Sequence, residues 1–201
     1  MINEQARVPG RRSQADARRE QFLDAALELF SERGFDATSM KDLAEATGAA
    51  PGLVYHYFRS KNELLAAVLA ERSFFPKLRA LLTDLPDRPA AEVLTELAER
   101  FEAMLSEREA VVRLVAHEAQ TDAQIRTELH RRIDDATGVV ARYLESRVAG
   151  GELRPHDSVT VARAIFFTLV MFHLTGTPAG NSPRCLVELV LSGIATGADR
   201  G

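Results

Sequence analysis

"GAAPGLVYHYF", residues 48–58, sets four ring-bearing side chains in consecutive positions, Tyr55, His56, Tyr57 and Phe58, directly behind a Gly-Ala-Ala-Pro-Gly run. Successive residues of an α-helix point about 100° apart, so four neighbouring rings cannot all enter one core. Val54 and Phe58 are four apart and share a face that can anchor a short helix. Tyr55, His56 and Tyr57 are then expected nearer the free side. Pro51 suits the first turn of that helix, where its missing N–H would have had no partner. Tyrosine and histidine each offer a flat ring and a hydrogen-bonding tip, a pairing that suits phosphates and base edges.

The flanking sequence supplies the frame for such a helix. In "RREQFLDAALELFSERGF", Phe22, Ala26 and Leu29 form one apolar line and Leu23, Leu27 and Phe30 its neighbour, with Gly34 placed to end the helix. "TSMKDLAEAT" opens on Thr38 and Ser39 as candidate caps, with Asp42 three past Ser39 as in a capping box, and Gly48 stops it. "SKNE", residues 60–63, is a second box, predicted to launch a long helix through Leu64, Leu65, Val68 and Leu69. Three short helices, the second and third joined by a tight Gly-containing turn, make a helix-turn-helix whose second member reads the major groove. Gly52 would let the backbone approach the sugar-phosphate chain, and Lys61 could neutralise a phosphate.

Beyond "LPDRPA" (85–90), helical runs are expected at about 90–106, 107–120, 122–149, 157–175 and 183–196, the last two separated by "TGTPAGNSP". No segment alternates with period two, so the chain is predicted to be all-α with about nine helices. Its 201 residues carry a net charge of −4, which by itself argues against a nucleic-acid binder. The distribution reverses that: residues 1–19 hold five arginines against two acids, and residues 1–62 are balanced, so the whole deficit lies further on. The most apolar stretch, "AIFFTLVMF" (164–172), is shorter than the roughly 20 residues of a membrane span. With no apolar core of signal-peptide length near the N-terminus and one cysteine, Cys185, expected to be buried and inert among Leu186, Val187 and Leu189, a cytoplasmic protein without membrane contact is expected.

Nothing in the chain speaks for an enzyme: there is no nucleophile elbow, no Gly-rich phosphate loop and no paired carboxylates at an identifiable site. His117, Glu118 and His173 lack metal-ligand spacing, so no metal and no cofactor are expected. A purely architectural or protein-binding helical module would bind DNA weakly and without regard to sequence.

Residues from about 18 to 65 resemble the DNA-binding domain of the tetracycline-repressor (TetR) family. The match runs through "FLDAALELFSERGFDATSMKDLAEATGAAPGLVYHYFRSKNELL", with an Ala-Ala-x-x-Leu-Phe helix, Gly-Phe, Thr-Ser at the cap, Leu-Ala, Tyr-x-Tyr-Phe and Lys-x-x-Leu. The resemblance implies double-stranded operator DNA as a partner, contacted by Ser39, Ala50, Pro51, Gly52, Tyr55, His56, Tyr57 and Lys61. Ala50 stands where many relatives have a hydroxyl, and Pro51 where a basic residue is frequent, which leaves target preference to the rings and the arginine arm. It further implies a flexible arm over 1–17, a reading head over 18–65, and a ligand-binding and dimerisation domain over 66–201. The homodimer would form through the last two helices. "VARAIFFTLVMFHL" is apolar nearly all round and so must be covered on more than one side, and "CLVELVLSGI" carries Leu186, Val190 and Ile194 on one line. Candidate cavity residues for an unidentified small effector, apolar or amphipathic, are Phe101, Met104, Leu114, His117, Glu118, Tyr143, Phe166, Met171 and Phe172. The function expected is a ligand-released transcriptional repressor, an activator with the same head being the alternative.

Overall fold

Phe22, Leu23, Ala26 and Phe30 are each no more than 2% exposed, so the apolar lines of the first helix are the spine of an N-terminal core. In the computed structural model, which describes residues 11–176 and 182–194, that helix is α1 (Arg11–Arg33). Residues 11–17, expected to belong to a flexible arm, are helical, and residues 1–10 lie outside the described residues. Arg7 and the side chains of Arg11 and Arg12 lie outside the described residues. α2 (Met40–Ala46) starts at Ser39, whose capping box with Asp42 is complete. It ends at Gly48, where φ of +61° is a conformation glycine adopts without steric cost, and Ala49 N–H closes back on the Ala44 carbonyl at 2.8 Å. α3 (Pro51–Tyr57) follows directly, and Val54 and Phe58 anchor it at 0% and 1% exposure.

α4 (Lys61–Glu71) is capped by Ser60. Its far end is fastened to α1 by two arginines. Arg72 reaches Glu20 and Asp24 at 2.7 and 2.8 Å, and Arg19 makes a two-pronged pair with Glu71 at 2.5 and 2.7 Å. Sequence reading predicts one helix from residue 60 to the break at 85–90. The chain instead breaks at Arg72–Phe74, and α5 (Phe75–Leu82) begins with Pro76 in its first turn. The described residues consequently hold ten helices, in line with the all-α fold of about nine expected, and none forms a strand. The two compact units meet at Ser73 and Phe74 rather than at residue 65, because α4 belongs wholly to the first.

The second unit contains α5, α6 (Ala90–Glu107), α7 (Glu109–Thr121), α8 (Ala123–Ala149), α9 (Ser158–Thr175) and α10 (Ser182–Ile194). α9 packs on α8, α6 and α10. By length and composition it could cross a membrane, yet within this unit only 28% of it is buried. Ala162, Ile165 and Leu169 face inward, while Phe167 and Met171 remain 51% and 56% exposed. On α10, Val187 and Leu191 are buried and Leu189 is 72% exposed. Cys185 lies on the outer face with Leu189, one turn apart, and is exposed rather than buried: Leu186 and Val187 point to other sides of the helix, and Leu189 is itself exposed. The predicted helix end at 195–196 and residues 177–181 of the preceding loop lie outside the described residues.

Candidate nucleic-acid interface and ligand cleft

The aromatic run resolves into graded exposure. Tyr55 is 52% exposed and His56 is exposed, while Phe58 is sealed. Tyr57 departs from the expected free side. It is half-buried, its ring edge-on to Phe22 at 5.4 Å, so it fixes α3 to α1 while presenting only part of itself. Ala50, Pro51 and Gly52 are exposed at the start of α3, and Ala50 supplies no capping oxygen. Ser39 is exposed, but its hydroxyl proton is given to Asp42 Oδ2 at 2.6 Å while its oxygen accepts from Asp42 N–H at 3.2 Å. A hydroxyl so engaged has no proton left for a phosphate oxygen. The bond from the Ser39 hydroxyl, followed by one from the Ser39 backbone N–H to the same oxygen at 2.7 Å, holds the Asp42 carboxyl below its usual range.

Lys61 requires the larger correction. Its ammonium donates to the carbonyls of Phe35, Asp36 and Thr38 at 2.8, 3.3 and 2.9 Å and lies 4.3 Å from the centroid of the Phe35 ring. An ammonium has three donors, and all three are taken by the α1–α2 connection. Lys61 is thus a clamp that sets where α2 starts, not a free phosphate ligand. Two other cations, passed over in the sequence, stand at the surface. Arg59 directly follows the rings, is exposed, and has no side-chain partner among the described residues. Lys41 is 77% exposed and only loosely paired with Glu45 at 3.7 Å. A cation adjoining the outward rings was the signal available for Arg59.

In the second unit, an apolar cleft of about 280 Å³ lies among α5 to α9. Of the predicted cavity residues it is lined by Phe101, Phe166 and Met171. The Phe101 and Phe166 rings meet edge to face at 4.8 Å. The other six do not line it. Met104 and Leu114 are packed into the core at 6% and 0% exposure, and Phe172 is half-buried away from the cleft. His117 is largely exposed and is bonded through Nδ1 to the buried Glu118 at 3.0 Å. Tyr143 donates its hydroxyl to the Arg88 carbonyl at 2.7 Å, and burial pushes its pKa up to about 12. It pins α8 to the start of α6 instead of meeting a ligand.

Missed from the sequence are Phe74, Phe75 and Leu78 at the α4–α5 break and the α8 stripe Leu129, Ile133 and Ala136, with Arg132 and Thr137 as the polar lining. Pro76 was the available sign, since a proline in a first turn would have marked a new helix and placed both phenylalanines at its corner. Thr137 is satisfied by the Ile133 carbonyl at 2.8 Å. Arg132 stacks 4.6 Å over Phe75 and pairs with Glu128 at 2.6 Å. The described residues contain no group of three metal-ligating side chains.

Residues 22–68 match the family model "Bacterial regulatory proteins, tetR family", and residues 92–175 match "AefR-like transcriptional repressor, C-terminal domain". The chain belongs to the TetR family. It is 29% identical over 199 residues to the HTH-type transcriptional repressor KstR2 of Mycolicibacterium smegmatis, covering 93% of this chain and 95% of that one. The solved structure of the ketosteroid transcriptional regulator KstR2 of Mycobacterium tuberculosis superposes with a TM-score of 0.72 at 27% identity, over 90% of this chain and 96% of the other. The fatty acid metabolism regulator protein of Bacillus subtilis is 20% identical, with 87% and 94% covered. This TetR-family chain is a DNA-binding transcriptional regulator and not an enzyme. Regulators of this family bind operator DNA as dimers, respond to small molecules and are generally cytoplasmic.

Proposed function

We propose that this chain is a repressor that reads a palindromic operator with Tyr55, His56 and the exposed edge of Tyr57, steadied on phosphates by Arg59 and Lys41. A small amphipathic effector held in the α5–α9 cleft releases it. The observation that carries the reading is the sorting along α3 and its cap, where Val54 and the C-cap residue Phe58 are sealed while Tyr55 between them is half bare. A large aromatic kept at the surface beside an unpaired arginine is a surface prepared for a polyanion.

The dimer would form through the outer faces of α9 and α10. Phe167, Met171 and Leu189 supply an apolar patch that a monomer would leave in water. Phe167 and Met171 also line the cleft, so the proposed dimer face and the effector site share two side chains. Two heads on a twofold axis read half-sites spaced by about one helical turn, ~34 Å. Release by effector amounts to a shift in population: going from about 99% to about 1% binding-competent requires a preference of about 5.5 kcal/mol for the incompetent arrangement.

The test is fluorescence anisotropy against DNA from upstream of the protein's own coding sequence, at stated salt. Specific binding is expected to exceed that to scrambled DNA by about 10³ or more. A Phe167→Asp/Leu189→Asp double variant should elute as a monomer and lose that preference. Equal affinity for every sequence, or an unaltered dimer in the double variant, would overturn the respective half of the reading.

A further inference from the structure

A second, wider depression of about 880 Å³ runs between α5 and α8. Phe75, Leu78, Arg132 and Ala136 line both it and the apolar cleft, so the two spaces share one wall, in which the Arg132 guanidinium is stacked on Phe75. The charged groups facing the groove are Arg79 from α5 and Arg131, Arg132, Asp134, Asp135 and Arg142 from α8. Four of these six are already partnered. Asp134 pairs with Arg163 at 2.8 Å and Asp135 with Arg131 at 3.1 Å, while Arg131 and Arg132 both bind Glu128, at 2.8 and 2.6 Å. Hydrogen bonding, first from Arg131, holds Glu128 down to about 2, so it stays ionised and keeps those two arginines occupied.

Arg79 and Arg142 are left. Both are exposed, and neither guanidinium has a hydrogen-bond or ion-pair partner among the described residues. They stand on opposite helices of one groove, so its uncompensated charge is positive on both sides. Gly138 adds an independent sign. A glycine inside a 27-residue helix weakens that helix relative to alanine. Packing does not demand it: a Cβ at position 138 would meet only Arg142 Nη1, at an ordinary 3.6 Å. What the missing side chain does is leave the groove wall bare beside Arg142.

We infer that the α5–α8 groove is a head-group subsite for a phosphate-type anion, held between Arg79 and Arg142, on a molecule whose apolar body enters the adjoining cleft. This rests on reading the cleft as the effector site. A lone carboxylate would be satisfied by one guanidinium, whereas two free guanidiniums on facing helices match the several acceptor oxygens of a phosphate ester.

Isothermal titration calorimetry on the full chain tests it with decyl phosphate below its micelle concentration, decanol and inorganic phosphate. Decyl phosphate should bind at least about tenfold more tightly than decanol, the gain expected of one charge-assisted contact. An Arg79→Gln/Arg142→Gln variant should bring it down to the decanol value while leaving decanol affinity unchanged. Gly138→Leu should weaken decyl phosphate alone, and inorganic phosphate should bind far more weakly than the alkyl ester. Equal affinity for decyl phosphate and decanol, or an unchanged decyl phosphate affinity in the double arginine variant, overturns the head-group site and leaves the cleft standing. Inorganic phosphate as tight as the ester overturns the link between groove and cleft. Binding of neither alkyl compound removes the cleft reading and this one together.

Discussion

The two units dispose of their cations in the same way: in each, some are consumed by the fold while others of the same charge are left for a ligand. In the N-terminal unit, Lys61 has a motif position that suggests contact with DNA, yet its three donors are consumed by the carbonyls of Phe35, Asp36 and Thr38, while Arg59 two residues earlier is left to solvent. In the C-terminal unit, Arg131 and Arg132 are consumed by Glu128, while Arg79 and Arg142 are left. A cation near a binding surface is available only if the fold has not already supplied its acceptors. The spent members build the surface and the unspent ones can meet a ligand.

The sharpest way to break this comparison is at Lys61. Lys61→Ala should destabilise the N-terminal unit by about 2–4 kcal/mol, since hydrogen bonds to a charged group are worth about 1.5–3 kcal/mol each and their carbonyls would be left to find water. Operator affinity should fall with it, but the slope of log Kd against log salt should stay as in the parent, because no phosphate contact is lost. Arg59→Ala should do the reverse, with stability changed by less than about 0.5 kcal/mol and the slope flattened by about one. Hydrogen exchange at residues 34–40 checks the first variant independently. A flatter slope for Lys61→Ala with unchanged exchange would restore it as a phosphate contact.

The two tyrosines of α3 come next. Tyr55→Ala should cost about 1–3 kcal/mol of specific DNA binding, about five- to 150-fold, and leave the thermal midpoint in place, because the ring touches little within the subunit. Tyr57→Ala should lose affinity and also about 0.5–1.5 kcal/mol of stability, the worth of its edge-on contact with Phe22. Indistinguishable behaviour of the pair, measured by anisotropy and thermal melts, would mean that exposure on α3 does not govern its contacts.

Much of the N-terminal unit was legible because its signals are local. The capping box at Ser39, the stop at Gly48, Pro51 in a first turn and the spacing of Val54 and Phe58 each act over four residues or fewer. Lys61 was misread for the complementary reason: its acceptors lie 23 to 26 residues away in sequence, where no spacing rule reaches. The cleft failed more often on the same ground. Tyr143 and Met104 have the composition of cavity linings, and only their partners, the Arg88 carbonyl across 55 residues for one and the surrounding core for the other, assign them to packing. Pro76 is the exception, a local signal that was present and went unused.

The smallest expected effect concerns the fastening of α4 to α1, the one place among the described residues of the N-terminal unit where arginines are spent on carboxylates. The Arg19 hydrogen bonds hold the Glu71 carboxyl below its ordinary value near 4.5. A folded-state pKa lowered in this way contributes stability that is complete above the unfolded-state value and is lost as pH falls through the folded one. Both side chains are about a third exposed, so solvent screening limits the pair to about 0.5–1 kcal/mol. Thermal melts should therefore be flat between pH 7 and about pH 5 as far as this pair is concerned, and decline below about pH 4.5. Glu71→Gln should start slightly lower at pH 7 and show a shallower decline. The remaining slope in that variant belongs to other carboxylates, Asp42 in its capping box among them, whose pKa is lowered in the same direction. An identical decline in Glu71→Gln and the parent would show that α4 is held to α1 by its buried Leu64 and Val68 and by Arg72, with the Arg19 pair contributing nothing measurable.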